Sequence, residues 1–162
     1  MNIKKLCQCA VLMALVFVVT RFIQVPIPNG YFNIGNTVIL IGCTLMPMWY
    51  GVAIGSLPSA LADLTSYPIY TIPTLIIKAL MPLVFYLIRG KEEASFVRTM
   101  VAATVSTLIP LFGYTLVGCF FTETFIAGLA QFPGLALEYA ANLVLFGILH
   151  KLIQQSGIKR YL

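Results

Sequence analysis

Residues 34–66 read IGNTVILIGCTLMPMWYGVAIGSLPSALADLTS, apolar except for Asp63 and scattered small polar residues. The run is too long for one ordinary membrane-spanning helix and barely long enough for two, since a span needs about 20 mostly apolar residues. Pro47 and Gly51 mark the natural division, which gives two short spans over about 35–46 and 50–65. That choice fixes the side on which every later loop falls, so the charges test it. With the division, Lys4, Lys5, Arg89, Lys91, Arg98, Lys151, Lys159 and Arg160 share one face, and only Arg21 and Lys78 lie elsewhere. Lys and Arg collect in cytoplasmic loops. A single span over residues 34–66 would send the loop around Lys91 to the other side and remove most of the asymmetry. The reading is therefore six spans with both termini cytoplasmic.

The remaining spans fall at about 6–23, 72–89, 96–118 and 133–153, with Pro133 a good first helical residue. Their connections carry turn chemistry: Pro26, Pro28 and Asn29-Gly30 after the first span, and Pro68 and Pro73 before the fourth. Composition agrees. Of 162 residues, 60% are apolar and 9% charged, and the mean hydropathy is +0.96. A soluble domain carries about 25% charge, so this chain lacks the groups to coat a surface facing water. The expected fold is an all-α integral membrane protein, residues 1–162 forming a single six-helix bundle. That length leaves no room for a soluble domain, and no phosphate-binding G-x-x-x-x-G-K-[ST] loop is present.

Charges inside a membrane are expensive and mark candidate functional sites. Asp63, Lys78 and Glu138 lie in the outer halves of their spans, with Asn142 one turn beyond Glu138 on the same face and Arg21 near the outer end of the first span. Together they would form a site open to the outside, roofed by loops bearing Tyr31, Phe32, Tyr67, Tyr70, Phe121 and Phe125. The plainer reading pairs Asp63 with Lys78 and Glu138 with Arg21 as ties between helices. Against it stands the desolvation of four buried charges, which can exceed the Coulombic gain; a polar ligand would justify them. Two cations and two carboxylates sum to zero, which favours a neutral or zwitterionic ligand. The aromatics suit a flat ring, or equally an interfacial belt.

Small residues form two further patterns. Gly51, Gly55 and Ser59 repeat every four residues and read as an internal packing ridge, while Ala10 and Ala14 form a small-xxx-small pair open to ordinary packing or to an external partner. Other chemistries fail. The sole histidine, His150, excludes a multi-histidine metal site or a membrane metalloprotease, and Cys7-x-Cys9 without a nearby histidine lacks a zinc ligand set. Glu92-Glu93 lies in a charged loop and reads as solvated. No enzyme activity and no metal are expected.

Three runs carry a resemblance: Pro28-Asn-Gly-Tyr-Phe-Asn-Ile-Gly-Asn-Thr-Val-Ile-Leu40, Gly55-Ser-Leu-Pro-Ser-Ala-Leu-Ala-Asp63, and Pro73-Thr-Leu-Ile-Ile-Lys78. They resemble the substrate-binding S component of energy-coupling factor (ECF) vitamin transporters, and are most similar to the branch assigned to pyridoxine or hydroxymethylpyrimidine. Two positions depart from that branch, Asn36 in place of Asp and Tyr-Ile-Pro before Thr74. From Glu92 onward only hydropathy matches. The resemblance implies a chain in the bacterial cytoplasmic membrane that binds one vitamin near its outer face and delivers it inward with a transmembrane coupling subunit and two cytoplasmic ATPases. ATP is then used by those partners, and this chain holds no cofactor. By the same resemblance Ala10 and Ala14 meet the coupling subunit, and Tyr31, Phe32 and Asn33 cover a ligand held by Asn36, Asp63, Tyr67, Lys78, Glu138 and Asn142. The alternatives are an S component for another vitamin such as pantothenate, or a membrane assembly subunit that binds no small molecule. A stand-alone secondary transporter would require an internal repeat, which the two halves do not display.

Overall fold

The structure, a computed structural model, describes residues 3–90, 94–122 and 124–156. Lys91, Glu92, Glu93, Lys159 and Arg160, which enter the charge reading, lie outside the described residues. Six long or medium helices stand at the six stretches expected: α1 (Ile3–Phe22), α2 (Gly35–Leu45), α3 (Met48–Ser66), α4 (Thr71–Arg89), α5 (Phe96–Phe121) and α7 (Phe132–Ser156). A seventh, the short α6 (Phe125–Leu129), lies in the connection between α5 and α7. By length and apolarity four segments are able to cross a membrane: Ile3–Phe22, Pro68–Arg89, Phe96–Phe121 and Phe125–Ser156. The helix α3 is long enough but diluted by serines, Pro58 and Asp63, while α2 has only 11 residues.

The break between α2 and α3 has a local cause. A residue preceding proline is pushed out of helical backbone, and Met46 before Pro47 is extended at φ −117°, ψ 156°. Its carbonyl accepts a hydrogen bond from the Tyr86 hydroxyl of α4 at 2.6 Å. At the other end, α2 begins without a side-chain cap from Ile34. Asn142 of α7 supplies one from across the bundle, its Oδ1 accepting the Thr37 N–H at 2.8 Å. This satisfies one of the free donors every helix start presents.

The connection between α1 and α2 contains a feature hydropathy does not reveal. Val25–Ile27 (β1) and Gly30–Phe32 (β2) pair antiparallel, with Ile27 opposite Gly30. Pro28 and Asn29 make the turn, and Asn29 has φ 61°; proline followed by a left-handed residue fits a type II turn. Asn29 then anchors the hairpin, donating from Nδ2 to the Ala127 carbonyl of α6 at 2.7 Å.

The core is formed by Val16 of α1, Ile39, Leu40 and Cys43 of α2, Ile54 of α3, Met81 and Phe85 of α4, Ala102 and Ala103 of α5, and Phe146 of α7. The ridge of small residues on α3 packs internally against α4. A Cβ on Gly55 would stand 2.7 Å from the Lys78 backbone oxygen, and one on Gly51 would stand 2.6 Å from the Tyr86 hydroxyl. Replacing Gly55 with Leu should therefore force α3 and α4 apart and lower stability by about 1–3 kcal/mol. Thermal unfolding of the detergent-purified protein measures this, and an unchanged midpoint would contradict the packing described.

Candidate functional site

Beneath the hairpin lies a partly open pocket between α1, α3, α4, α5 and α7. Its wall carries Asp63, Lys78 and Glu138, which are 3%, 2% and 5% exposed. Each is held by polar neighbours, as buried charge requires. The Asp63 carboxylate accepts from the Tyr31 hydroxyl on one oxygen and from the Thr74 hydroxyl on the other. Lys78 donates to Asn36 Oδ1, and its Nζ lies 5.6 Å from the centroid of the Tyr114 ring. Asn36 in turn donates from Nδ2 to Glu138 Oε1 at 3.1 Å. One neutral amide thus stands between the cation and the second carboxylate.

The roof is built by the hairpin. Tyr31 reaches down to Asp63 and lies against Tyr67, ring centroids 5.4 Å apart. Burial and the adjacent Asp63 carboxylate push the Tyr31 phenol upward, so it remains a donor. Tyr70, Tyr67 and Tyr114 also line the space, and Tyr70 meets Phe121 edge-on at 5.7 Å. The aromatic lining is thus made of tyrosines, while Phe125 is 65% exposed on the outer surface. The Ser59 hydroxyl is another element of the wall, buried and without a hydrogen-bond partner in the structure. Unsatisfied buried polar atoms are uncommon in folded proteins, and this one borders the pocket.

A family model for the S component of ECF-type riboflavin transporters matches residues 1–155. The chain belongs to that family. It is a transporter subunit and not an enzyme. A solved structure titled "Structure and mechanism of the S component of a bacterial ECF transporter" shares the fold, with a TM-score of 0.70 at 18% identity over 94% of this chain and 96% of that one. A Pyrococcus woesei protein described as "Uncharacterized protein in gap 3'region" is 29% identical over 101 residues, which is 61% of this chain and 68% of that protein.

In this S component, six of the expected ligand residues reach the cavity: Tyr31, Asn33, Asp63, Tyr67, Lys78 and Glu138. Phe32, Asn36 and Asn142 do not line it. Phe32 is half-buried in β2, and Asn36 lies behind Lys78 and Glu138. Asn142 is fully committed elsewhere: Oδ1 accepts from the Thr37 amide and hydroxyl, and Nδ2 donates to the Asn33 and Glu138 carbonyls. Two donors and two acceptor sites exhaust a carboxamide. The plainer alternative, a tie between Glu138 and Arg21, is not formed among the described residues, because Arg21 Nε donates to Thr65 Oγ1 at 3.1 Å on the exposed side. Asp63 and Lys78 each bond to neutral groups instead of pairing directly. Sequence reading missed Thr74, Tyr114 and Gln131, all in the wall. Thr74 stands one helical turn before Lys78, a spacing that signals a shared face; Tyr114 and Gln131 carry no comparable signal. Ala10 and Ala14 are exposed on α1.

The contrast between Asn142 and Ser59 is measurable. Asn142→Ala removes the buried side-chain bonds to Thr37 and to the Asn33 carbonyl and should cost about 1–3 kcal/mol, whereas Ser59→Ala removes a group with no bond to lose and should leave the unfolding midpoint unchanged or raised. Equal destabilisation by both would refute this division into clasp and lining.

Proposed function

We propose that the chain is the substrate-binding subunit of an ATP-driven vitamin importer, taking a single flat heteroaromatic vitamin of the pyridoxine or hydroxymethylpyrimidine type beneath the hairpin. The observation that carries this reading is the pocket beneath the hairpin whose wall holds three buried charged groups, four tyrosines and an unbonded serine hydroxyl. Ligand sites combine an apolar or aromatic lining with a few placed polar groups, and charges within a membrane bundle call for a partner. The resemblance over Pro28–Lys78 supports the vitamin class. Riboflavin is the second reading, because the matching family model carries that name.

On this reading residues 1–162 form one domain that crosses the bacterial cytoplasmic membrane six times with both termini inside. The short α2 is accepted as a crossing because most of it is buried among the other helices, and α3 because it turns Leu57, Leu61 and Leu64 outward while Asp63 is buried. Ala10 and Ala14, small and exposed on α1, give a coupling subunit the close backbone approach that small-xxx-small pairs allow. The chain binds no cofactor, and ATP is hydrolysed by two partner subunits.

Calorimetry on the purified chain against pyridoxine, hydroxymethylpyrimidine, riboflavin, thiamine and pantothenate tests the vitamin assignment directly. Tight binding of a compound from the first two is expected; binding of riboflavin alone would move the assignment to the second reading, and no binding would leave an assembly subunit. Lys78→Ala should weaken the bound vitamin by about 2–5 kcal/mol, and Ser59→Ala should weaken it by about 1 kcal/mol without loss of stability. An unchanged affinity in both variants would place the site elsewhere. Replacing Ala10 and Ala14 together with Leu should block cellular uptake while calorimetric binding is kept; loss of binding would show that the pair supports the fold instead.

A further inference from the structure

Charge balance in the cavity differs from what the sequence pattern suggests. Arg21 is removed from the count, since it turns outward to Thr65 and is not part of the wall. Among the described residues the wall then carries one cation, Lys78, and two carboxylates, Asp63 and Glu138. A surplus negative charge held away from water is unfavourable unless something balances it.

Both carboxylates have donors and both keep lone pairs to spare. Asp63 receives a hydroxyl on each oxygen, from Tyr31 and from Thr74. Glu138 receives the Asn36 amide at 3.1 Å on Oε1 and the Asn33 backbone N–H. Lys78 gives one N–H to the other end of the same amide, and an ammonium has three to give. Asn36 therefore fixes an unsaturated cation and an unsaturated carboxylate side by side in one wall, at a spacing set by a single carboxamide.

We propose that Glu138 recognises a protonated ring nitrogen on the ligand while Lys78 donates to a neutral acceptor oxygen of the same ring, so that the cavity selects a ring-protonated heteroaromatic over a neutral ring of equal shape. This rests on the vitamin reading above and adds its chemical selectivity. A pyridinol meets the demand as its ring-protonated cation, with a ring N–H⁺ and a neutral hydroxyl oxygen that accepts from Lys78 on one small ring. The ligand's cation then supplies the charge that Arg21 does not.

The test compares pyridoxine with its carbocyclic analogue, in which CH replaces the ring nitrogen, by calorimetry on the wild-type chain and on Glu138→Gln. Wild type should prefer pyridoxine by about 30-fold or more, and Glu138→Gln should bring the ratio close to one by weakening pyridoxine alone. The ultraviolet spectrum of pyridoxine bound to wild type, which distinguishes ring-protonated from neutral forms, provides a readout that needs no variant; the ring-protonated form is expected. Equal wild-type affinities, a neutral bound ring, or equal weakening of both ligands by Glu138→Gln would overturn the inference while leaving a vitamin-binding subunit in place. Binding of riboflavin without pyridoxine would do the same. Failure of every vitamin to bind would overturn both readings.

Discussion

A single buried amide connects the parts of this protein that matter for its site. Asn36 accepts from Lys78 of α4 and donates to Glu138 of α7, and it belongs to α2, a helix of 11 residues with neighbours on several sides. In a low-dielectric interior an isolated ammonium or carboxylate would lose its charge or disrupt its surroundings. A neutral amide avoids both outcomes by offering an acceptor to one and a donor to the other. It also prevents the two charges from closing directly on each other, so that each keeps bonding capacity. Asn142 strengthens the arrangement from one turn further along α7, holding the start of α2 against Glu138's own helix.

Much of the architecture was legible from hydropathy and proline placement. The division at Pro47 was visible because proline dictates the backbone of the residue before it, and Met46 is indeed extended there. The hairpin was not visible. Its strands have three residues each and include Pro26, too short and too interrupted for any alternating pattern. The short α6 was hidden for a similar reason, as five residues give no helical period.

The candidate site was legible in part. Asp63, Lys78 and Glu138 stand out because ionisable groups are rare in apolar helices, and all three border the cavity. Asn36 and Asn142 stand out equally, yet they serve as clasps. A polar residue in an apolar helix announces that it must be bonded, not to what. Arg21 illustrates the same limit, since its place near a helix end allows the long side chain to turn outward. Conversely, Tyr114 of α5 and Gln131, in the turn between α6 and α7, reach the cavity through a contact that sequence spacing does not encode; Gln131 donates to the Tyr114 carbonyl at 2.8 Å.

The shortness of α2 has a consequence for how the protein meets its membrane. At 1.5 Å per residue, 11 residues rise about 16 Å, roughly half the hydrocarbon thickness of a bilayer. A helix of that length facing lipid would suffer severe hydrophobic mismatch, and the bilayer would thin or the helix would shift to relieve it. Most of α2 is buried within the protein, so the mismatch falls on α1, α5 and α7, whose lengths of 20, 26 and 25 residues permit tilting. Changes in bilayer thickness are thereby absorbed by the outer helices. Because Glu138 and Asn142 stand on α7, a tilt of that helix is transmitted to Asn36 and the start of α2 through their hydrogen bonds.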